Sequence, residues 1–179
     1  MDVFPSLSLI MEPPEPDVMK KPPRKSGTRL IDFSTLLRSC YVGVIVSACA
    51  IFWAFIVWGS GGWTMGNNAT LDPILYARGT TIVMAGIMIG QLGNLFASRT
   101  DVKSAFTLNP LRNRWLFPAI IAEFCIMIAV IYLPFLQPLF GTAPLLLSDW
   151  LFLSILAPLA LLLEELRKLL TRRMTPKID

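Results

Sequence analysis

Apolar residues along this chain gather into long blocks. They do not recur at the 3.6-residue or 2-residue period of a half-buried helix or strand. The block at about 39–59 contains no charged residue, and three further blocks lie near 80–98, 115–136 and 149–170. A helix needs about 20 residues to cross a bilayer, and it satisfies its own backbone hydrogen bonds where lipid offers none. The pattern therefore predicts an all-α fold, an integral membrane helical bundle of four transmembrane helices, with a membrane domain over 39–171 and a tail over 172–179. Residues 1–10, MDVFPSLSLI, are apolar but too short to span, and predict a short half-helix at the N-terminal end. Between them, 11–38 mixes proline pairs with charges of both signs and predicts an extended loop.

Charge adds orientation to this pattern. Lys20, Lys21, Arg24, Lys25, Arg29 and Arg38 precede the first span, whereas the next loop holds only Arg78. Arg99, Lys103, Arg112 and Arg114 follow the second span, no basic residue separates the third from the fourth, and Arg167, Lys168, Arg172, Arg173 and Lys177 close the chain. Basic loops stay on the cytoplasmic side, so this alternation predicts a multi-pass protein of the cell membrane with both flanks cytoplasmic. The start of the chain has an acid and a proline where a secretory signal would have a basic start and an apolar run, so insertion is expected to rely on the spans.

Composition narrows the chemistry. The chain of 179 residues is 54% hydrophobic and only 16% charged, against about 25% charged in ordinary soluble domains. Its net charge of +4 is accounted for by the loops, so lipid and not nucleic acid is the expected partner. There is no histidine, and Cys40, Cys49 and Cys125 fall in or beside apolar runs, where they are expected to be buried packing residues. No phosphate-binding GxxxxGK[ST] loop, GxGxxG or HExxH is present, so no catalytic or cofactor-binding residue is expected.

Polar residues inside the spans are the remaining signal. Gly86 and Gly90 put small residues on one face of the second span, where a neighbouring helix can approach closely. Gln91 and Asn94 are three apart and share a face; their amide oxygens either ligate a cation or bond a neighbouring helix. Glu123 is the one acid well inside a span; such a costly carboxylate usually faces the bundle or a water path, where it either ligates a cation, relays a proton or stays neutral. Amides aimed into lipid would leave hydrogen bonds unmet, so Gln91 and Asn94 are expected to face neighbouring helices, and Glu123 to be buried or to face a gap built for a partner. Glu164 and Glu165 precede Arg167 and Lys168 and are expected to form helix-end salt bridges.

The N-terminal segment carries a more specific signature. Asp2-Val-Phe-Pro5, then Glu12-Pro-Pro-Glu15-Pro-Asp17, then Met19-Lys-Lys-Pro22-Pro23-Arg24 resembles the end of the sixth transmembrane helix, and the following loop, of calcium-pump-like P-type cation-transporting ATPases. Gln91-Leu-Gly-Asn94 with Ser98-Arg99, Ile131-Tyr-Leu-Pro134 and Asp149-Trp150 with Glu165-Leu-Arg-Lys168 are similar to that family's eighth, ninth and tenth helices in order. The resemblance implies that the chain is the C-terminal membrane module of such a pump, bracing the transport helices, with Asp2 a cation-ligand candidate beside Gln91, Asn94 and Glu123. It implies a transported cation and, as partner, the N-terminal part of the pump, which carries the phosphorylation and nucleotide domains. The chain alone is expected to have no ATPase activity. The alternative is a non-enzymatic membrane scaffold or regulatory subunit of another pump, with the Gly86/Gly90 face and the proline-rich loop as contact surfaces.

Overall fold

The computed structural model describes residues 3–12, 33–64, 72–99 and 113–174, with side chains described from 40 onward in the second segment and to 170 in the last. Asp2, the proline-rich loop and the loops around Asn67 and Lys103 lie outside the described residues. Among the described residues every regular element is a helix: α1 Val3–Ile10, α2 Phe33–Ser60, α3 Pro73–Ser98, α4 Leu116–Tyr132, α5 Gln137–Phe140 and α6 Leu147–Met174. Three of them, over Cys40–Ser60, Pro73–Ser98 and Leu147–Leu170, are long and apolar enough to cross a membrane; α4 is apolar but has 17 residues.

Local chemistry sets the ends. Asp72 accepts a hydrogen bond from the Ile74 amide at 3.0 Å, and Pro73 follows in the first turn, where its missing N–H costs nothing. This cap starts α3 at 73, one and a half to two turns before the apolar block at 80. The helix expected over 115–136 stops instead at Tyr132. Leu133 precedes Pro134, whose ring disfavours helical geometry at the residue before it, and Leu133 is extended (φ −78°, ψ 118°). The helix expected from 39 starts earlier, at Phe33.

α3 is the centre of the bundle. In its most apolar stretch 61% of residues are buried, against 28% in the stretches of α2 and α6. Its glycines make this possible. A side-chain carbon at Gly90 would overlap Val46 of α2, one at Gly93 would overlap the Ala157 backbone carbonyl of α6, and one at Gly86 would come to 2.7 Å from Ala50 and 3.2 Å from Leu156. Two helices, α2 and α6, can close on α3 only because these positions project nothing. Ile82, Ala85, Leu153 and Leu156 fill the core, and Met127 and Ile131 of α4 reach it from the side. Of the expected packing cysteines, Cys49 is half-buried and packs against the core, whereas Cys40 and Cys125 are exposed.

Candidate functional site

α1, α3 and α4 diverge to leave a cleft of ≈ 220 Å³, lined by Pro5, Ser6 and Leu9 of α1, Gln91, Leu92, Asn94, Leu95 and Ser98 of α3, and Glu123 of α4. Three candidates from the sequence, Gln91, Asn94 and Glu123, therefore line one space; Asp2 lies outside the described residues. Glu123 is only 3% exposed. The amides differ from expectation: both Gln91 and Asn94 are exposed within this chain. Each follows a packed glycine by one residue, Gly90 and Gly93, and one residue turns about 100° around a helix. The glycine face is consumed by α2 and α6, and the amides sit just beside it. They also line a second crevice of ≈ 180 Å³ with Val42, Gly43, Val46 and Ser47 of α2.

Carboxylate, amide and hydroxyl oxygens are the donors that a hard cation prefers, and the cleft collects all three kinds. Among the described residues no group of three or more His, Cys, Asp or Glu side chains converges, so this cleft offers one carboxylate and neutral donors.

A polar cluster, whose mutual contacts the sequence does not reveal, joins α1, α3 and α4 near the basic end. Arg99 at the end of α3 grips Glu12 with two nitrogens, at 2.8 and 3.2 Å. Asn113, 1% exposed, donates to the Ser8 carbonyl at 2.7 Å and to the Glu12 carboxylate at 2.9 Å, while its own oxygen accepts from the Trp115 amide. The end of α1 is thus held to α3 and to the start of α4. Lys168 is also buried: besides the Glu165 pair at 3.3 Å foreseen from their spacing, its ammonium donates to the Ala97 carbonyl at 2.7 Å. That carbonyl lies in the last turn of α3, where helix carbonyls lack intrahelical donors. Glu164 pairs with Arg167 and accepts from the Tyr41 hydroxyl.

The opposite end has a different lock. Asp149 is fully buried, takes two nitrogens of Arg78 at 2.8 and 3.0 Å and the Trp53 indole N–H at 3.1 Å, and accepts from the Leu146 amide three residues back. One carboxylate ties α2, α3 and α6 together and caps α6. Neither end presents a nucleophile aligned with a base, so both read as structural.

These features define a polytopic membrane helical bundle organised around a polar, single-carboxylate cleft. Comparison with known proteins gives the class a family. Residues 1–170 match the family described as "Cation transporting ATPase, C-terminus". The chain is 32% identical over 154 residues to a calcium-transporting ATPase of Bacillus subtilis, covering 84% of this chain and 16% of that protein. It is 30% identical over 173 residues to calcium-transporting ATPase 1 of Saccharomyces cerevisiae, covering 97% and 17%, and 32% identical over 171 residues to calcium-transporting ATPase type 2C member 2 of Mus musculus, covering 94% and 17%. The chain belongs to the cation-transporting P-type ATPases and corresponds to their C-terminal membrane region. It spans about one sixth of the length of the relatives it matches.

Proposed function

We propose that this chain serves a cation pump as the membrane module that braces the transport helices and lends oxygen ligands to the cation path. The observation that supports this reading is the cleft where Glu123, Gln91 and Asn94 meet, with the two amides on its open side. Amides at membrane depth that faced lipid would each forfeit several kcal/mol of hydrogen bonding, roughly what a buried unpaired polar group costs. Cover by further helices of the same pump removes that cost and completes a coordination shell that one carboxylate leaves short. The carboxylate supplies charge and the amides supply neutral oxygens, and the family resemblance makes Asp2 the candidate for a second acid. The relatives named as calcium transporters make a divalent calcium-like ion the first to test.

In this reading the chain does not hydrolyse ATP by itself, since it contains no phosphate-binding loop or phosphorylatable aspartate motif. Its basic end, with Arg99 and Lys168, faces the cytoplasm of a cell membrane. The test is a chimera in which this chain replaces the matching region of the Bacillus subtilis relative. ATP-driven uptake of calcium into vesicles is expected, and Glu123→Gln or the pair Gln91→Leu with Asn94→Leu is expected to raise the half-saturating cation concentration by tenfold or more. Transport at unchanged cation affinity in both variants rules out a ligand role for the cleft.

A further inference from the structure

From Leu133 to Ser148 the chain contains no charged residue. This connection between α4 and α6 nevertheless carries the most exposed apolar side chains of the described C-terminal half: Phe135 is 85% exposed, Leu147 75% and Leu139 73%, beside Leu133, Phe140 and Leu146. A loop that faces water is normally polar, and a contiguous apolar patch signals a partner.

Three observations say what that partner is. The first is length. α4 has 17 residues, about 25 Å of helix, against a hydrocarbon layer of roughly 30 Å, so the chain leaves α4 before it has cleared the bilayer. The second is the backbone. Three carbonyls at the end of α4 are satisfied by the segment itself: Ala129 by the Leu133 amide at 2.9 Å, Val130 by the Thr142 hydroxyl at 2.7 Å and Ile131 by the Gln137 side-chain amide at 2.8 Å. Pro134, Pro138 and Pro144 have no N–H to satisfy, and the Ala143 amide donates to Thr81 at 3.0 Å. Non-helical backbone survives at membrane depth only when protein takes up its polar groups in this way. The third is continuity. The patch runs on from the outward apolar residues Phe124 and Ile128 of α4 and Leu151 and Ile155 of α6. At its edge the Trp150 indole donates to the Tyr132 hydroxyl at 2.8 Å, the amphipathic aromatic pairing suited to a headgroup boundary. The nearest acid, Asp149, is fully buried against Arg78 and offers lipid no charge.

We infer that Leu133–Leu147 is a membrane-inserted cap whose partner is the lipid of the adjoining leaflet, with Phe135 and Leu139 held among acyl chains near the headgroups. The inference is independent of the cation cleft, which opens elsewhere on the bundle.

The test uses the full chain in phospholipid vesicles, with an environment-sensitive fluorophore on a single cysteine. Phe135→Cys and Leu139→Cys, made with the three native cysteines replaced, are compared with Thr64→Cys in the exposed turn after α2 and with native Cys125 as the deep, lipid-facing reference. Both new sites are exposed, so the substitutions leave packing intact. The inference expects blue-shifted emission at both, loss of most of that emission to lipid carrying a spin label just below the headgroup, and little loss to aqueous iodide. Iodide quenching equal to that at Thr64 overturns it by placing the segment in water. Shielding from both quenchers overturns it by placing protein over the segment.

Discussion

The α2–α3–α6 sheaf and the α1–α4 pair lie in one bundle but are held in different ways. The sheaf is closed by shape: Gly86, Gly90 and Gly93 admit Ala50, Val46 and the Ala157 backbone, and Asp149 pins all three helices at one end. α1 and α4 lean on the sheaf through the Glu12, Arg99 and Asn113 cluster at one end and through Met127 and Ile131 at the other, and between those anchors the cleft opens. A region packed by shape has one arrangement. A region anchored at its ends leaves room between the anchors for a cleft lined by Gln91, Asn94 and Glu123. In the proposed function the sheaf is the brace, and the α1–α4 side carries the candidate cation cleft.

Four variants separate the two regions. The largest effect is expected from Asp149→Ala. It strands Arg78 and removes the α6 cap, and losing one partner of a buried ion pair costs about 3 kcal/mol. Denaturant unfolding in lipid bicelles should show that loss across the whole bundle. Gly93→Ala comes next, at about 2 kcal/mol, the overpacking range. Its neighbour is backbone, which cannot rotate aside, so α3 and α6 must part; a cross-linking distance between them reports this. Asn113→Ala should cost about 1 kcal/mol, the net worth of a typical hydrogen bond, and confine the damage to one region. Amide hydrogen exchange should speed up in α1 and the start of α4 while α3 stays protected. Equal acceleration in both regions would dissolve the distinction. The smallest effect is expected for Gln91→Leu with Asn94→Leu. Both side chains are exposed in this chain, and such surface changes stay within about 0.5 kcal/mol. A much larger loss would mean that the amides already carry the fold.

The sheaf was the more legible region. Blocks of apolar residues announced α2, α3 and α6, and the Gly86–Gly90 spacing announced a close helix approach. Glu165 and Lys168, three apart, announced their pair. The Gly93 contact with the Ala157 backbone and the Lys168 bond to Ala97 were not legible, because each depends on how far α6 slides along α3, a tertiary quantity that no local pattern encodes. Helix ends were legible only in part: Asp72-Pro73 is a start signal that the apolar block at 80 overshadowed, and Leu133-Pro134 is a stop that block-counting passed over. On the α1–α4 side Glu123 stood out because a carboxylate in an apolar run is conspicuous. The partners of Asn113 are not legible, since nothing local places Ser8 and Glu12 against an asparagine more than a hundred residues away. The amides are legible as polar groups needing cover, but not that α2 and α6 take the adjacent glycine face and leave them exposed within this chain.

The central claim is that protein, not lipid, covers Gln91 and Asn94 in the working pump. It is tested most directly at Asn94→Cys, labelled with a fluorophore and exposed to a spin label carried deep in the lipid chains. The measurement is made once on this chain alone and once on the chimera that supplies the upstream helices. The account predicts strong quenching in the chain alone and its loss in the chimera. Equal quenching in both would mean that the amides face lipid in the assembled protein, and it would contradict the bracing module and its cation cleft together.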